Sequence, residues 1–206
     1  MSKYSSNCGA IVLAGGKSRR MGTSKAELRI GDQTMLERIV QTLDSIFETV
    51  VVVRALDQAT PPIRESVIWT QDCVGDEGPL RGLEAGMLVL PDQVERVFVS
   101  GCDTPLLKLE FVAQLLELSS DVKAVVPHIT GVSQPLTAVY ATDILPVITE
   151  MLADGQRSLQ ALLRLIPTHL VLEDVLRQVD PQLVSLENVN TPADYSRILN
   201  LLGLVA

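Results

Sequence analysis

Cysteine is scarce in this chain of 206 residues: Cys8, Cys73 and Cys102 are the three thiols. An odd number with no paired spacing argues against a disulfide framework or a zinc site, and points to a reducing cytoplasm. Aromatic residues make up 3%, too few to supply stacking platforms for single-stranded nucleic acid. Basic charge is also in deficit. Seventeen Lys and Arg face twenty-five Asp and Glu, a net charge of −8 with a pI near 4.8. Sequence-independent binding to nucleic acid needs a basic surface, so that class is excluded. No apolar run approaches the ~18 residues of a membrane span. The first apolar stretch runs directly into a glycine-rich loop without a small-residue cleavage site, so no signal peptide is expected. Low-complexity linkers and internal repeats are missing too, and a single domain over residues 1–206 is the expectation.

What the chain does have is apolar material, 47% of it, enough for a sizeable core and against intrinsic disorder. The apolar residues alternate between short β-branched runs and longer amphipathic stretches. Strands are predicted at Cys8 to Leu13, Thr49 to Val53, Val67 to Thr70, Glu95 to Ser100 and Val122 to Pro127. Helices are predicted from the Thr34 cap to about Phe47, at Pro79 to Leu90 and at Leu109 to Leu118. Beyond Pro127 the pattern weakens. Short strands are expected at Thr137 to Tyr140, Thr168 to Leu172 and Val184 to Leu186. Helices are expected at Asp143 to Leu152, Ser158 to Leu165, and from Thr191-Pro192 to about Leu202. This alternation implies βαβ units in an α/β fold with a mostly parallel sheet flanked by helices. Ligands of such sheets bind outside the carboxyl ends of the strands. Three loops should meet there: residues 14–25, 71–82 and 101–107.

Each of these loops carries unusual chemistry. Lys17, Arg19, Arg20, Lys25 and Arg29 hold five of the seventeen basic charges, opposed only by Glu27. One short basic loop in an acidic protein suits a small anionic ligand. Gly15, Gly16 and Gly22 allow backbone N–H groups to turn toward a phosphate, and the basic side chains add charge-assisted bonds. The loop is not a Walker A motif, because Ile11 stands where the first glycine is required. It is not a dinucleotide fingerprint either, since Gly15 and Gly16 are adjacent. Asp103 follows an apolar strand, where a carboxylate can hold Mg²⁺ against a triphosphate; capping the Thr104-Pro105 turn suits it equally on spacing alone. Asp72 stands similarly after a strand. His128 and His169 lack partners at metal spacing, and Cys102 reads as a small apolar packing residue.

Five motifs in order resemble one family. They are LAGGKSRRMGTSK from Leu13 to Lys25, GPLRGL from Gly78 to Leu83, and CDTP from Cys102 to Pro105. Next come Gln134-Pro135-Leu136 with Ala138 and Tyr140, and then NVNTP from Asn188 to Pro192. Together they resemble the molybdenum cofactor guanylyltransferase family, MobA-like nucleotidyltransferases. The resemblance implies a single-domain Rossmann-like fold of the nucleotide-diphospho-sugar transferase type. Its nucleotide-binding half would cover about 8–120 and its acceptor-binding half about 121–206. It implies transfer of GMP from GTP to molybdopterin-bound molybdenum cofactor with release of pyrophosphate and Mg²⁺ as cofactor.

The implied GTP site is Leu13, Ala14, Gly15, Gly16, Lys25, Asp72 and Asp103. Arg19, Lys25 and Asp103 would be catalytic, Asp103 the metal ligand, and Gln134, Asn188 and Asn190 would face the acceptor. Capping of the last helix is the competing role for Asn190. The implied partners are GTP, the molybdenum cofactor and other molybdenum-cofactor proteins, with neither nucleic acid nor membrane. One departure stands out: Arg54 ends the second strand, where the family often carries an asparagine that helps bind the nucleotide. The alternatives are a cytidylyltransferase or another small-molecule nucleotidyltransferase of this fold, and a nucleotide-binding or docking module without catalysis.

Overall fold

The computed structural model describes residues 7–15, 25–55, 63, 66–72 and 78–204. Its first strand, β1 (Cys8–Leu13), lies between β4 (Thr49–Ala55) and β6 (Arg96–Gly101), parallel to both. A two-stranded hairpin of β2 (Arg29–Ile30) and β3 (Gln33–Thr34) leads into helix α1 (Met35–Asp44). Beyond β4 come β5 (Ile68–Asp72) and helix α2 (Pro79–Met87). Helix α3 (Leu109–Glu117) follows β6, then β7 (Ala124–Ile129), β8 (Val132–Ser133) and β9 (Thr137–Ala141). The chain closes with α4 (Leu145–Ala153), α5 (Leu159–Leu165), β10 (Thr168–Leu172), α6 (Glu173–Leu176) and α7 (Pro192–Leu201). The main sheet runs β10-β7-β9-β6-β1-β4-β5, with β8 paired to β7. Only β9, against β6 and β7, and β8 pair antiparallel within it.

The strands read as continuous apolar runs because both faces of the sheet are covered. Ala10, Val12, Val50, Val52 and Phe98 face one layer, packed with α1, α3 and α6. Ile11, Leu13, Val51, Val53 and Val99 face the other, packed with α2, α4 and α5. Each fully buried large apolar side chain contributes about 1.5–3 kcal/mol. Helix α2 lies unusually close to β1: a Cβ on Gly86 would sit 2.7 Å from Ile11 Cγ2. Helix α1 starts at a capping box, with the Glu37 amide donating to Thr34 Oγ1 and the Thr34 amide donating to Glu37 Oε2. These two reciprocal bonds satisfy amides that the first helical turn leaves without partners.

Several sequence expectations change at their edges. The strand predicted to end at Thr70 continues to Asp72, and the helix predicted to reach Leu90 stops at Met87. Val184–Leu186 is a 3₁₀ turn, not a strand. Its Ser185 amide donates to the buried Asp180 carboxylate at 2.8 Å, and that bond takes the donor a strand ladder would need. The β2–β3 hairpin, β8 and α6 were not foreseen, being too short to show a period. Among the described residues no helix is long and apolar enough to cross a membrane.

Candidate active site

Strand register sets the site. Leu13 pairs with Gly101 on one side and Val53 on the other, and Val53 pairs with Thr70. Gly101, Leu13, Val53 and Thr70 therefore form one level row across β6, β1, β4 and β5. Two residues beyond that row stand Asp103, Gly15, Ala55 and Asp72. All four strands are parallel, so this is the carboxyl edge of the sheet. Three interstrand steps separate Gly101 and Thr70, the strand ends that lead to the two acids, about 14 Å.

Gly15 stands where the chain passes close to the end of β4. The Ala14 and Gly15 amides donate to Val53 O at 2.8 and 3.2 Å, drawing the chain across β4. A Cβ on Gly15 would lie 3.1 Å from the Ala55 amide nitrogen. The Asp103 carboxylate folds back over Gly101, where a Cβ would meet Asp103 Oδ1 at 2.5 Å. Behind it, the Cys102 amide donates to Leu13 O at 3.1 Å, and Ser100 and Thr104 share a buried hydroxyl contact of 3.0 Å. Asp103 is thus held from below by strand ends and not by its own side chain.

Its side chain is engaged from elsewhere. Lys25 opens a 3₁₀ turn, Lys25–Glu27, and its Nζ donates to Asp103 Oδ2 at 3.0 Å and to Asn190 Oδ1 at 2.6 Å. The ion pair is largely shielded, with side-chain exposures of 18% and 24%, so water screens it less than a surface pair. Asp103 Oδ1 accepts no hydrogen bond from the described residues. One carboxylate with an oxygen to spare suits Mg²⁺ completed by substrate phosphates, the usual arrangement for that ion. It does not form an all-protein cage: among the described residues no group of three His, Cys, Asp or Glu could hold a metal. Cys102 is buried and its thiol is pushed up to about 12, by burial first and then by the Asp103 charge. It is a packing residue, as its sequence context suggested, and no thiolate nucleophile.

At the other end of the row, Asp72 is the last residue of β5, half-buried and level with Ala55. Arg54 pairs in register with Gln71. With the Gln71 amide turned so that its oxygen faces Arg54, the guanidinium donates to it from Nη2 and Nε. The residue that departs from the family pattern is thus tied across the strand pair.

Of the acceptor-side candidates, Asn190 reaches Lys25. Asn188 Nδ2 donates to Leu186 O at 3.2 Å, a local turn contact. Gln134 lies between β8 and β9, its amide donating to Pro127 O at 2.9 Å. His128 shares a 3.0 Å contact with Ser133 Oγ, and His169 is exposed. Gly16 and Arg19, with Lys17, Arg20, Cys73, Asp76 and Glu77, fall outside the described residues. The Lys25–Asn190 contact was missed at the level of sequence. The two residues are 165 positions apart, and no local pattern links them.

The fold is that of a nucleotidyltransferase. Residues 10–175 match the MobA-like NTP transferase domain. A molybdenum cofactor guanylyltransferase of Desulfosudis oleivorans is 32% identical over 192 residues, covering 91% of this chain and 92% of that protein. The chain belongs to the MobA-like NTP transferase family. The fold is shared with molybdopterin-guanine dinucleotide biosynthesis protein A from Archaeoglobus fulgidus. That structure has a TM-score of 0.78 at 21% identity, over 96% of this chain and 100% of that one. It is shared as well with 2-C-methyl-D-erythritol 4-phosphate cytidylyltransferase from Thermus thermophilus. There the TM-score is 0.71 at 18% identity, over 95% and 98%.

Proposed function

We propose that the protein transfers GMP from GTP to the molybdenum cofactor, releasing pyrophosphate and forming the guanine dinucleotide cofactor. The observation that carries this reading is the Lys25–Asp103 pair at the carboxyl edge of the sheet, beside the turn at Gly15. In the reaction, a phosphate oxygen on the acceptor attacks the α-phosphorus of GTP in line. A new P–O bond forms, the bond to the β-phosphate oxygen breaks, and its electron pair leaves with pyrophosphate. No protein nucleophile is needed, because the acceptor phosphate already is one. Positioning and electrostatics supply the catalysis.

The chain's residues divide that work. Leu13, Ala14, Gly15 and Gly16 are assigned to the GTP site as the turn that brings the backbone close to the nucleotide, the Ala14 and Gly15 amides themselves being held by Val53 O. Lys25 and, by the family resemblance, Arg19 are assigned to the charge that builds as pyrophosphate departs. Asp103 would hold Mg²⁺, which would supply positive charge against the phosphates. Asp72, at the β5 end of the edge, is assigned to the nucleoside end of GTP. The half over 8–120 then binds nucleotide and the half over 121–206, with Gln134 and Asn188, the acceptor. A cytoplasmic location fits the three thiols without paired spacing, and other molybdenum-cofactor proteins are the natural suppliers of acceptor.

The test is thermal stabilisation of the purified chain by each of the four NTPs with Mg²⁺, alongside pyrophosphate release with acceptor. A ligand of the native state at a hundred times its Kd adds about 2.7 kcal/mol. GTP is expected to raise the melting temperature most and to support turnover. A preference for CTP moves the reading to a cytidylyltransferase. Equal shifts show that only the triphosphate is read, and binding without pyrophosphate release leaves a nucleotide-binding module.

A further inference from the structure

We infer that Asn190 is a positioning residue for Lys25, fixing its ammonium beside Asp103. This rests on the nucleotidyl-transfer reading only for its kinetic consequence. A lysine side chain has four rotatable bonds, and its contact with Asp103 does not by itself fix the direction of the ammonium. The contact from Nζ to Asn190 Oδ1 at 2.6 Å holds it from a direction other than that of the carboxylate.

Asn190 is itself pinned on both sides. Before it, the Val189 amide donates to the Asp103 carbonyl at 2.8 Å. The Val189 side chain is fully buried with Ile30, Met35 and Ile198. After it, the capping box of α7 closes: Asp194 Oδ2 accepts from the Asn190 amide at 3.0 Å and from the Thr191 amide at 2.8 Å. The Thr191 hydroxyl also donates to Asp194 Oδ2, at 2.9 Å, and this bond first, with the Asn190 amide next, holds the Asp194 carboxyl below its ordinary value. The segment 189–191 is therefore bolted to the backbone of Asp103 and presents its amide oxygen to Lys25.

The residue type matters. A side-chain amide oxygen accepts from the ammonium without carrying charge. A second carboxylate there would hold Lys25 as firmly and cancel its positive charge toward phosphate. An amide holds it and leaves the charge in place.

The experiment has two readouts. The first, independent of substrate, is the acylation rate of Lys25 by an amine-reactive reagent, read by mass spectrometry on the full-length protein. Asn190→Ala is expected to raise it severalfold, and Asn190→Asp, which keeps an acceptor, to leave it at or below the wild-type rate. The second is a double-mutant cycle in single-turnover transfer at saturating GTP. Asn190→Ala alone is expected to lower the rate about five- to twentyfold. In the Lys25→Ala background it should change the rate less than twofold. Unchanged labelling overturns the inference, and so do effects that multiply, which would make Asn190 an independent contact to the acceptor. If the wild-type protein turns over no NTP, the proposed function falls while the labelling readout still decides the position of Lys25.

Discussion

Asp103 and Asp72 stand at the same level on the same sheet edge, two residues past one register row, yet they are held differently. Asp72 sits within its strand, level with its in-register neighbour Ala55, beside the Arg54–Gln71 pair. Asp103 has left its strand. Its backbone meets Val189, and its carboxylate meets Lys25, which also reaches Asn190. The segment just after it is tied down as well, by Lys108 Nζ to the buried Asp180 at 2.9 Å and by the Lys108 amide to Ser185 Oγ at 3.1 Å. The Asp103 end is built from segments brought together across the whole chain. The lesson is that equal strand-end placement does not confer equal roles. The end where distant segments converge has its charge fixed in three dimensions, as a site of changing charge requires.

The most severe way to break that contrast is Asp103→Asn. The amide is nearly isosteric but a poor ligand for a hard cation. Mg²⁺-dependent pyrophosphate release is expected to fall on the order of 10²–10³-fold, with the circular dichroism spectrum kept. A near wild-type rate would remove Asp103 from the metal role. Lys25→Ala comes next. A charge-assisted bond of about 1.5–3 kcal/mol corresponds to roughly ten- to a hundredfold in the transfer rate. The dissociation constant of GTP should change less than the rate, because the ammonium gains most as pyrophosphate charge develops. The reverse split would make Lys25 an anchor. Asp72→Asn should be milder: one hydrogen bond of about 0.5–1.5 kcal/mol predicts a KM for GTP raised about two- to tenfold, with kcat unchanged. If kcat falls as far as in the Asp103 variant, the two ends are equivalent and the contrast is lost.

The smallest effect concerns what lies behind Asp103. Burial pushes the Asp180 carboxyl up, but hydrogen bonds from Lys108 and Ser185, with the Lys108 charge, outweigh it and leave the group below its ordinary value. Its folded value is thus lower than its unfolded value near ~3.9. The stability it contributes is complete above that pH and is lost as pH falls from there through the folded value. Urea midpoints of wild type and Asp180→Asn should therefore differ most at neutral pH and converge below about pH 4. A gap that stays constant with pH would show that Asp180 acts by shape alone.

Much of the fold was legible because strands buried on two faces and helices with one apolar face carry strong periods. The runs at Cys8–Leu13, Thr49–Val53 and Glu95–Ser100, and the Thr34 cap, appear in the structure close to where the sequence puts them. Misreadings fall where a tertiary contact overrides local preference. Val184–Leu186 is β-prone by its valine and leucine, but the Asp180 carboxylate claims the Ser185 amide and turns it. Asp72 was placed just after its strand, yet pairing with β4 extends β5 by two residues and makes it the last residue of that strand. Within the site, Gly15, Lys25 and Asp103 were visible as residue types at strand ends. Asn190 was visible only as a motif member facing the acceptor or capping α7, and the cap proved to be Thr191.

By itself the sequence determined the elements, their alternation and the three loops that carry glycine, base and acid, because those signals are local or periodic. It also raised the expectation of an anionic ligand, since five basic residues crowd into thirteen positions of an acidic chain. Only the tertiary structure decided which charges face one another. Lys25, Asp103 and Asn190 lie on three segments whose proximity depends on sheet order and register, and on an apolar cluster of Ile30, Met35, Val189 and Ile198 that docks α7 against the hairpin. Such contacts arise from burial of apolar surface far from the charges themselves, so no spacing along the chain could have disclosed them.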